Sequence, residues 1–93
     1  MHKVTVIYSP QCPSNAHFVR EIEDWSRSYG VSVESIDVFE EHDRAQRLLE
    51  NTPVRHTKHL FITVFIDGRW ILGHPGNPRF KEDFLKALEE ETR

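Results

Sequence analysis

One apolar run and the turn that follows it constrain the fold of this sequence more than any other feature. Residues 60–66 are all apolar or β-branched and are the strongest strand signal in the chain. Asp67 and Gly68 come next, a pair that suits the positive backbone φ angles of a tight hairpin turn. Residues 69–72 then predict the return strand. The sequence therefore predicts an antiparallel β-hairpin near the end of the chain.

The residues before this hairpin alternate between strand-like and helix-like patterns. Lys3–Tyr8 is rich in β-branched residues and predicts a first strand. A helix is predicted from Pro13, a residue suited to the first helical position, up to Gly30, which ends it. Residues 31–38 predict a second strand and residues 43–50 a second helix. Because a helix joins the first two strands, we expect them to be parallel with a right-handed crossover.

Two helices of this plan present apolar residues at helical spacing. In the first helix the residues predicted to pack in the core are Phe18, Ile22, Trp25 and Tyr29. The last helix is predicted to begin at Pro78, with Asn77 as its cap. Its residues predicted to pack in the core are Phe80, Phe84, Leu85 and Leu88. The predicted element order is β-α-β-α-β-β-α. It describes an α/β fold, with a four-stranded mixed sheet flanked by helices, in one domain over residues 1–93.

Charge and cysteine content exclude several classes of function. A formal net charge of -3 argues against nucleic acid as the main partner, because phosphate binding needs a basic surface. No apolar run approaches the roughly 20 residues of a membrane span. The single cysteine excludes an internal disulfide and an all-cysteine zinc site. A free thiol is typical of a reducing compartment, so we expect a cytoplasmic protein.

The single cysteine, Cys12, lies directly before the first helix, at the predicted N-cap. There its sulfur faces the unpaired N–H groups of the first turn and the positive end of the helix dipole, and both favour a thiolate. Asn15, in the same turn, is placed to donate a hydrogen bond to that thiolate. The alternatives are that Cys12 is a small residue tolerated at a cap and that Asn15, like Ser14, has no role beyond starting the helix.

The segment around this cysteine resembles the active-site turn of the thioredoxin/glutaredoxin superfamily, whose pattern is Cys-x-x-Cys or Cys-x-x-Ser. The turn spans residues 8–15, while residues 61–68 resemble the superfamily's hairpin and residues 73–88 its final loop and helix. Within the superfamily, the triplet of residues 11–13 and the hairpin are most similar to YoaP-like thioredoxin-fold domains, which are often appended to acetyltransferases. The resemblance implies a thioredoxin-like fold, with Cys12 as the reactive thiol and Pro13 and Asn15 beside it in the active site.

Two positions depart from the superfamily's pattern. Asn15 replaces the second active-site cysteine, so a dithiol–disulfide cycle within the chain is impossible. Leu60 stands where the superfamily places a cis-proline before its third strand, and the nearest proline is Pro53.

The resemblance also implies that the loops around the hairpin approach the active-site turn. We therefore predict a substrate-binding set of His59, Leu60, His74, Gly76 and Asn77. In glutaredoxins the corresponding start of the last helix helps to hold a carboxylate of glutathione, and free N–H groups suit that role. The alternatives are solvated loop histidines and an ordinary capped helix. A metal site formed by Cys12, His59 and His74 is a further, weaker alternative, so no metal is predicted.

Two functions follow from these observations. The first is a monothiol oxidoreductase that uses Cys12 for thiol–disulfide exchange with protein thiols or with glutathione as a co-substrate, and without a cofactor. The second is a non-catalytic thioredoxin-fold module that binds a protein partner.

Overall fold

The structure, a computed structural model, describes residues 2–50, 52, 62–72 and 79–92. The elements in chain order are β1 (Lys3–Tyr8), α1 (Pro13–Arg27), β2 (Ser32–Asp37), α2 (His42–Leu49), β3 (Thr63–Ile66), β4 (Arg69–Leu72) and α3 (Phe80–Glu91). The order of the elements is the predicted one and describes an α/β fold. The bounds of β1 and β4 are also those predicted. Within the described ranges, no helix is long and apolar enough to cross a membrane.

The described strands form one four-stranded mixed sheet in the order β2-β1-β3-β4. β1 runs parallel to β2, with Lys3 opposite Ser32 and Tyr8 opposite Asp37. β3 is antiparallel to both β1 and β4. The predictions of a parallel first pair and of an antiparallel hairpin are therefore confirmed.

The hairpin turn has the predicted backbone conformation. The φ angles are 52° at Asp67 and 83° at Gly68, both in the left-handed region that two-residue hairpin turns require. A side chain at Gly68 would meet no atom within 4 Å. The backbone conformation, rather than lack of space, is thus the reason why glycine suits this position.

β1 is buried on both faces because helices cover both sides of the sheet. Val4 and Val6 point into the larger core, which α1 and α3 complete with residues such as Ile22 and Phe84. Ile7 points to the opposite face. The smaller core on that face comprises Ile7, Ile36, Val38, Ala45, Leu49 and Phe65.

The end of α1 shows which part of the helix prediction was right. The regular helix stops at Arg27, and Gly30, with a φ of 67°, terminates it as predicted. The Val31 N–H donates to the Ser26 carbonyl at 3.2 Å and the Gly30 N–H to the Arg27 carbonyl at 3.1 Å, the pattern of a Schellman motif. Tyr29, predicted to lie in the core, is instead 39% exposed, because it belongs to this closing turn and not to the helix.

The start of α3 differs from the prediction. The first described helical residue is Phe80 and the N-cap is Arg79, whereas the sequence predicted a helix that begins at Pro78 and is capped by Asn77. Those two residues lie outside the described residues. The Phe80 ring packs edge-on against Phe18, with 5.5 Å between the ring centroids. The described helix therefore begins with a residue that packs in the core.

Candidate functional site

Cys12 lies in the short connection between β1 and α1, and its backbone position is set by local hydrogen bonds. β1 ends at Tyr8, and the Cys12 N–H donates to the Ser9 carbonyl at 3.2 Å, which closes a tight turn. Cys12 is the N-cap of α1, with φ -101° and ψ 111°, and Pro13 is the first helical residue. The Cys12 carbonyl accepts the Asn15 N–H at 3.0 Å. The predicted N-cap position is confirmed.

Cys12 is partly exposed, and its sulfur contacts the side chain of Ser14. The Sγ and Oγ atoms are 3.0 Å apart, so the hydroxyl can donate to a thiolate. This contact is the main reason why the pKa of Cys12 lies below its ordinary value. The N–H groups of Asn15 and Ser14 face the sulfur and lower the pKa further, although none forms a well-aligned capping hydrogen bond. Partial burial acts in the opposite direction and is outweighed.

Asn15 occupies the third position of α1, on the buried side of the first turn. Its side chain also lowers the pKa of Cys12, although its effect is the smallest of those that act on the sulfur. The residue is only 5% exposed, and among the described residues its Oδ1 atom has no hydrogen-bond partner. A buried amide oxygen without a partner is costly, and such groups are frequent at functional sites. Asn15 therefore lies beside the Cys12 sulfur, as predicted, but the side chain of Ser14 has the larger effect on the pKa of that sulfur.

Sequence reasoning assigned less weight to Ser14 than the structure does. The signal that could have found it is its position two residues after an N-cap cysteine, from which a hydroxyl on the first helical turn can reach back to the sulfur. The exposed Ser14 side chain has no core position to fill, which leaves it free to adopt the rotamer that contacts Cys12.

The predicted site residues divide into two groups. Cys12, Pro13 and Asn15 lie together at the start of α1. The predicted substrate-binding residues lie outside the described residues, and these are His59, Leu60, His74, Gly76 and Asn77. Pro53, the nearest candidate for the superfamily's proline, lies outside them as well. Within the part of the chain that the structure describes, no group of three or more histidine, cysteine or acidic side chains could hold a metal ion.

No protein-family model, curated protein or solved structure gives a significant match to this chain.

A second surface feature, at the other end of β1, contains several charged side chains. A cavity of about 680 Å³ lies between α2 and the first half of β1. Two of the cations that line it share the carboxylate of Glu34, with Lys3 Nζ at 3.0 Å and Arg44 Nη2 at 2.6 Å. These two contacts, first that with Arg44, lower the pKa of Glu34 to about 2. Lys3 and Arg44 already pair with Glu34, and Arg47 is the one lining cation without an ion pair in the described part of the chain. We therefore regard the thiol of Cys12 as the better candidate site.

Proposed function

We propose that this chain has a thioredoxin-like fold and acts as a monothiol thiol–disulfide exchange protein, with Cys12 as its nucleophile. The observation that carries the proposal is the contact between the Cys12 sulfur and the Ser14 hydroxyl, 3.0 Å apart at the amino terminus of α1. A thiolate is the reactive form of cysteine, and helix amino termini stabilise it. The site thus combines partial exposure with groups that favour the charged sulfur.

The arrangement of the strands supports the thioredoxin-like part of the proposal. The order β2-β1-β3-β4 contains one parallel pair joined through a helix and one antiparallel hairpin, with the cysteine directly after β1. This is the arrangement that the resemblance in the sequence implies. Two helices on one face of the sheet and one on the other are also in keeping with it.

The proposed reaction has two steps and consumes no net oxidant or reductant other than its two thiol–disulfide partners. The Cys12 thiolate attacks one sulfur of a substrate disulfide, so that a bond forms between the two sulfurs and the original S–S bond breaks. The leaving thiolate takes a proton from solvent. Because the chain has no second cysteine, a thiol from another molecule must then attack the mixed disulfide and release the Cys12 thiolate.

The partners that fit this reaction are protein thiols or glutathione. A free thiol persists in a reducing compartment, so the proposal places the protein in the cytoplasm. Ser14 would stabilise the thiolate before attack, and Asn15 would occupy the space that a second cysteine has in dithiol relatives.

The test is the pH dependence of Cys12 alkylation by iodoacetamide. We expect the folded protein to reach half-maximal rate at a lower pH than the same chain unfolded in denaturant, because the pKa of Cys12 is lowered by folded-state contacts. The unfolded chain is the matched control, since it has the same thiol without those contacts. Equal midpoints, or a higher one in the folded protein, would contradict the proposal and leave the partner-binding module as the better hypothesis.

A further inference from the structure

A large aromatic side chain is exposed at the end of β2. Among the described residues, two large apolar side chains are exposed: Phe39, at 56%, and Tyr29, at 39%. Tyr29 belongs to the turn that closes α1, at the far end of that helix from Cys12. Phe39 lies in the connection between β2 and α2, two residues after β2 ends at Asp37.

Phe39 and Cys12 each follow the carboxyl-terminal end of a strand, and the two strands, β2 and β1, are parallel neighbours. Tyr8 and Asp37, the last residues of β1 and β2, are opposite each other in the parallel pair. The pairing continues one residue further, since the Val38 N–H donates to the Tyr8 carbonyl at 3.0 Å. Phe39 follows directly, while the turn from Tyr8 leads to Cys12. The segment that carries the exposed ring and the segment that carries Cys12 therefore both begin at the carboxyl-terminal end of this parallel strand pair.

The backbone that carries Phe39 is held in place by Asp37 and Val38. One carboxylate oxygen of Asp37 accepts the N–H groups of Phe39 at 2.8 Å and of Glu40 at 3.3 Å. The Asp37 carbonyl accepts the Glu41 N–H at 2.9 Å, and the Val38 side chain is 1% exposed in the smaller core. The exposure of Phe39 is thus a consequence of an ordered turn. Little conformational entropy remains to be lost when this backbone binds a partner.

The residue next to Phe39 adds a negative charge. Glu40 is exposed, and no cation in the described ranges forms an ion pair with it, whereas Glu41 pairs with Arg44 at 3.3 Å. An apolar ring beside an unpaired carboxylate is complementary to an apolar side chain beside a basic one.

We propose that Phe39 and Glu40 form a docking surface for the polypeptide whose disulfide Cys12 attacks. The substrate segment places an apolar side chain against the Phe39 ring and a lysine or arginine near Glu40. The inference rests on the proposed exchange function and narrows its substrate class to basic, apolar protein segments. Glutathione, with its two carboxylates and no apolar side chain, has neither feature.

The experiment compares two synthetic peptides of equal length, each carrying one cysteine as a mixed disulfide with thionitrobenzoate. One peptide has leucine and lysine beside its cysteine, and the other has serine and glutamate. Attack by the Cys12 thiolate on the peptide sulfur forms the Cys12–peptide disulfide and releases thionitrobenzoate, which is measured by its absorbance. The readout is the ratio of the two rate constants for one variant, so that a change in the nucleophilicity of Cys12 cancels.

We expect the unchanged protein to react faster with the leucine–lysine peptide. In Phe39→Ser the ratio of the two rate constants should fall about tenfold, because this variant has no aromatic ring to bury against the leucine. Glu40→Gln should reduce it about twofold, in line with an exposed charge pair. Tyr29→Ser is the matched control, since it removes an exposed aromatic ring elsewhere, and it should keep the full preference.

Each contrary result has one meaning. A ratio near one for the unchanged protein, or the same ratio in Phe39→Ser, overturns the docking surface while the exchange function stands. If the unchanged protein releases thionitrobenzoate from both peptides no faster than its unfolded chain, the exchange function itself fails and the docking surface falls with it.

Discussion

The two ends of β1 differ in how completely their polar side chains are paired. At the amino-terminal end, Glu34 holds both Lys3 and Arg44, and Asp67 holds His2 at 2.6 Å. At the carboxyl-terminal end, Cys12 is partly exposed, and among the described residues its sulfur contacts neutral groups, of which the Ser14 hydroxyl at 3.0 Å is the main one. The first end contains more charge and also a cavity, yet the second is the better candidate for chemistry.

The physical reason is that a paired charge has already lost most of its capacity to interact with a ligand. A substrate at Glu34 would have to compete with two cations that hold the carboxylate ionised down to about pH 2. The sulfur at Cys12 is stabilised as a thiolate by weaker, one-sided contacts, so it remains available for attack. Incomplete pairing of its polar groups, more than cavity volume, is the reason to propose the carboxyl-terminal end of β1 as the candidate site.

The largest effect should come from the nucleophile itself. Cys12→Ser removes the only thiol, so we expect complete loss of thionitrobenzoate release and of alkylation. Folding should be unaffected or slightly improved, because serine is a preferred N-cap and the cysteine forms no capping hydrogen bond with the described first turn. Mass spectrometry of the alkylated protein and thermal unfolding check the two parts. A variant that still exchanges disulfides would show that Cys12 is not the nucleophile.

A smaller effect should follow from removing the group beside the sulfur. Ser14→Ala eliminates the largest contribution to the lowered pKa of Cys12, so the pKa should rise. At pH values below that pKa the thiolate fraction then falls, and alkylation there should slow severalfold. At high pH, where both proteins are fully ionised, the two rates should converge. Ser28→Ala, after the end of α1, is the matched control and should leave the profile unchanged. An unchanged profile in Ser14→Ala would remove the hydroxyl from the mechanism.

The smallest effect should occur at the amino-terminal end of β1, where the charged side chains are paired. Glu34→Gln breaks the shared ion pair, and we expect a loss of less than about 1 kcal/mol of unfolding free energy near neutral pH, because these side chains are partly exposed and screened by solvent. The pKa of Glu34 is lowered by folding, so its contribution is present above the ordinary carboxyl pKa and disappears as the pH falls through about 2.

Denaturant unfolding at several pH values should therefore show the difference between the two proteins closing in acid. Glu23→Gln, in the middle of α1 and without an ion pair among the described residues, is the control. If Glu34→Gln also changes the rate of Cys12 alkylation, the two ends of β1 do not act independently.

Much of the local structure could be predicted because it depends on neighbouring residues. The bounds of β1 follow from its β-branched residues, and the hairpin turn follows from Asp67 and Gly68. Pro13 begins α1 and thereby makes Cys12 the N-cap. The predicted substrate-binding residues remain predictions, since they lie outside the described residues.

Other features were decided by tertiary structure alone. α3 begins at Phe80, and Tyr29 is exposed because the closing turn rotates it away from the core. The order in which the strands lie side by side, the sharing of Glu34 between β1 and α2, and the approach of Ser14 to the sulfur join groups whose contact depends on packing and rotamer. Sequence by itself determined the elements and the position of the thiol, since these depend on short-range backbone preferences. The tertiary structure decided which polar groups find partners, because pairing depends on where separate elements meet.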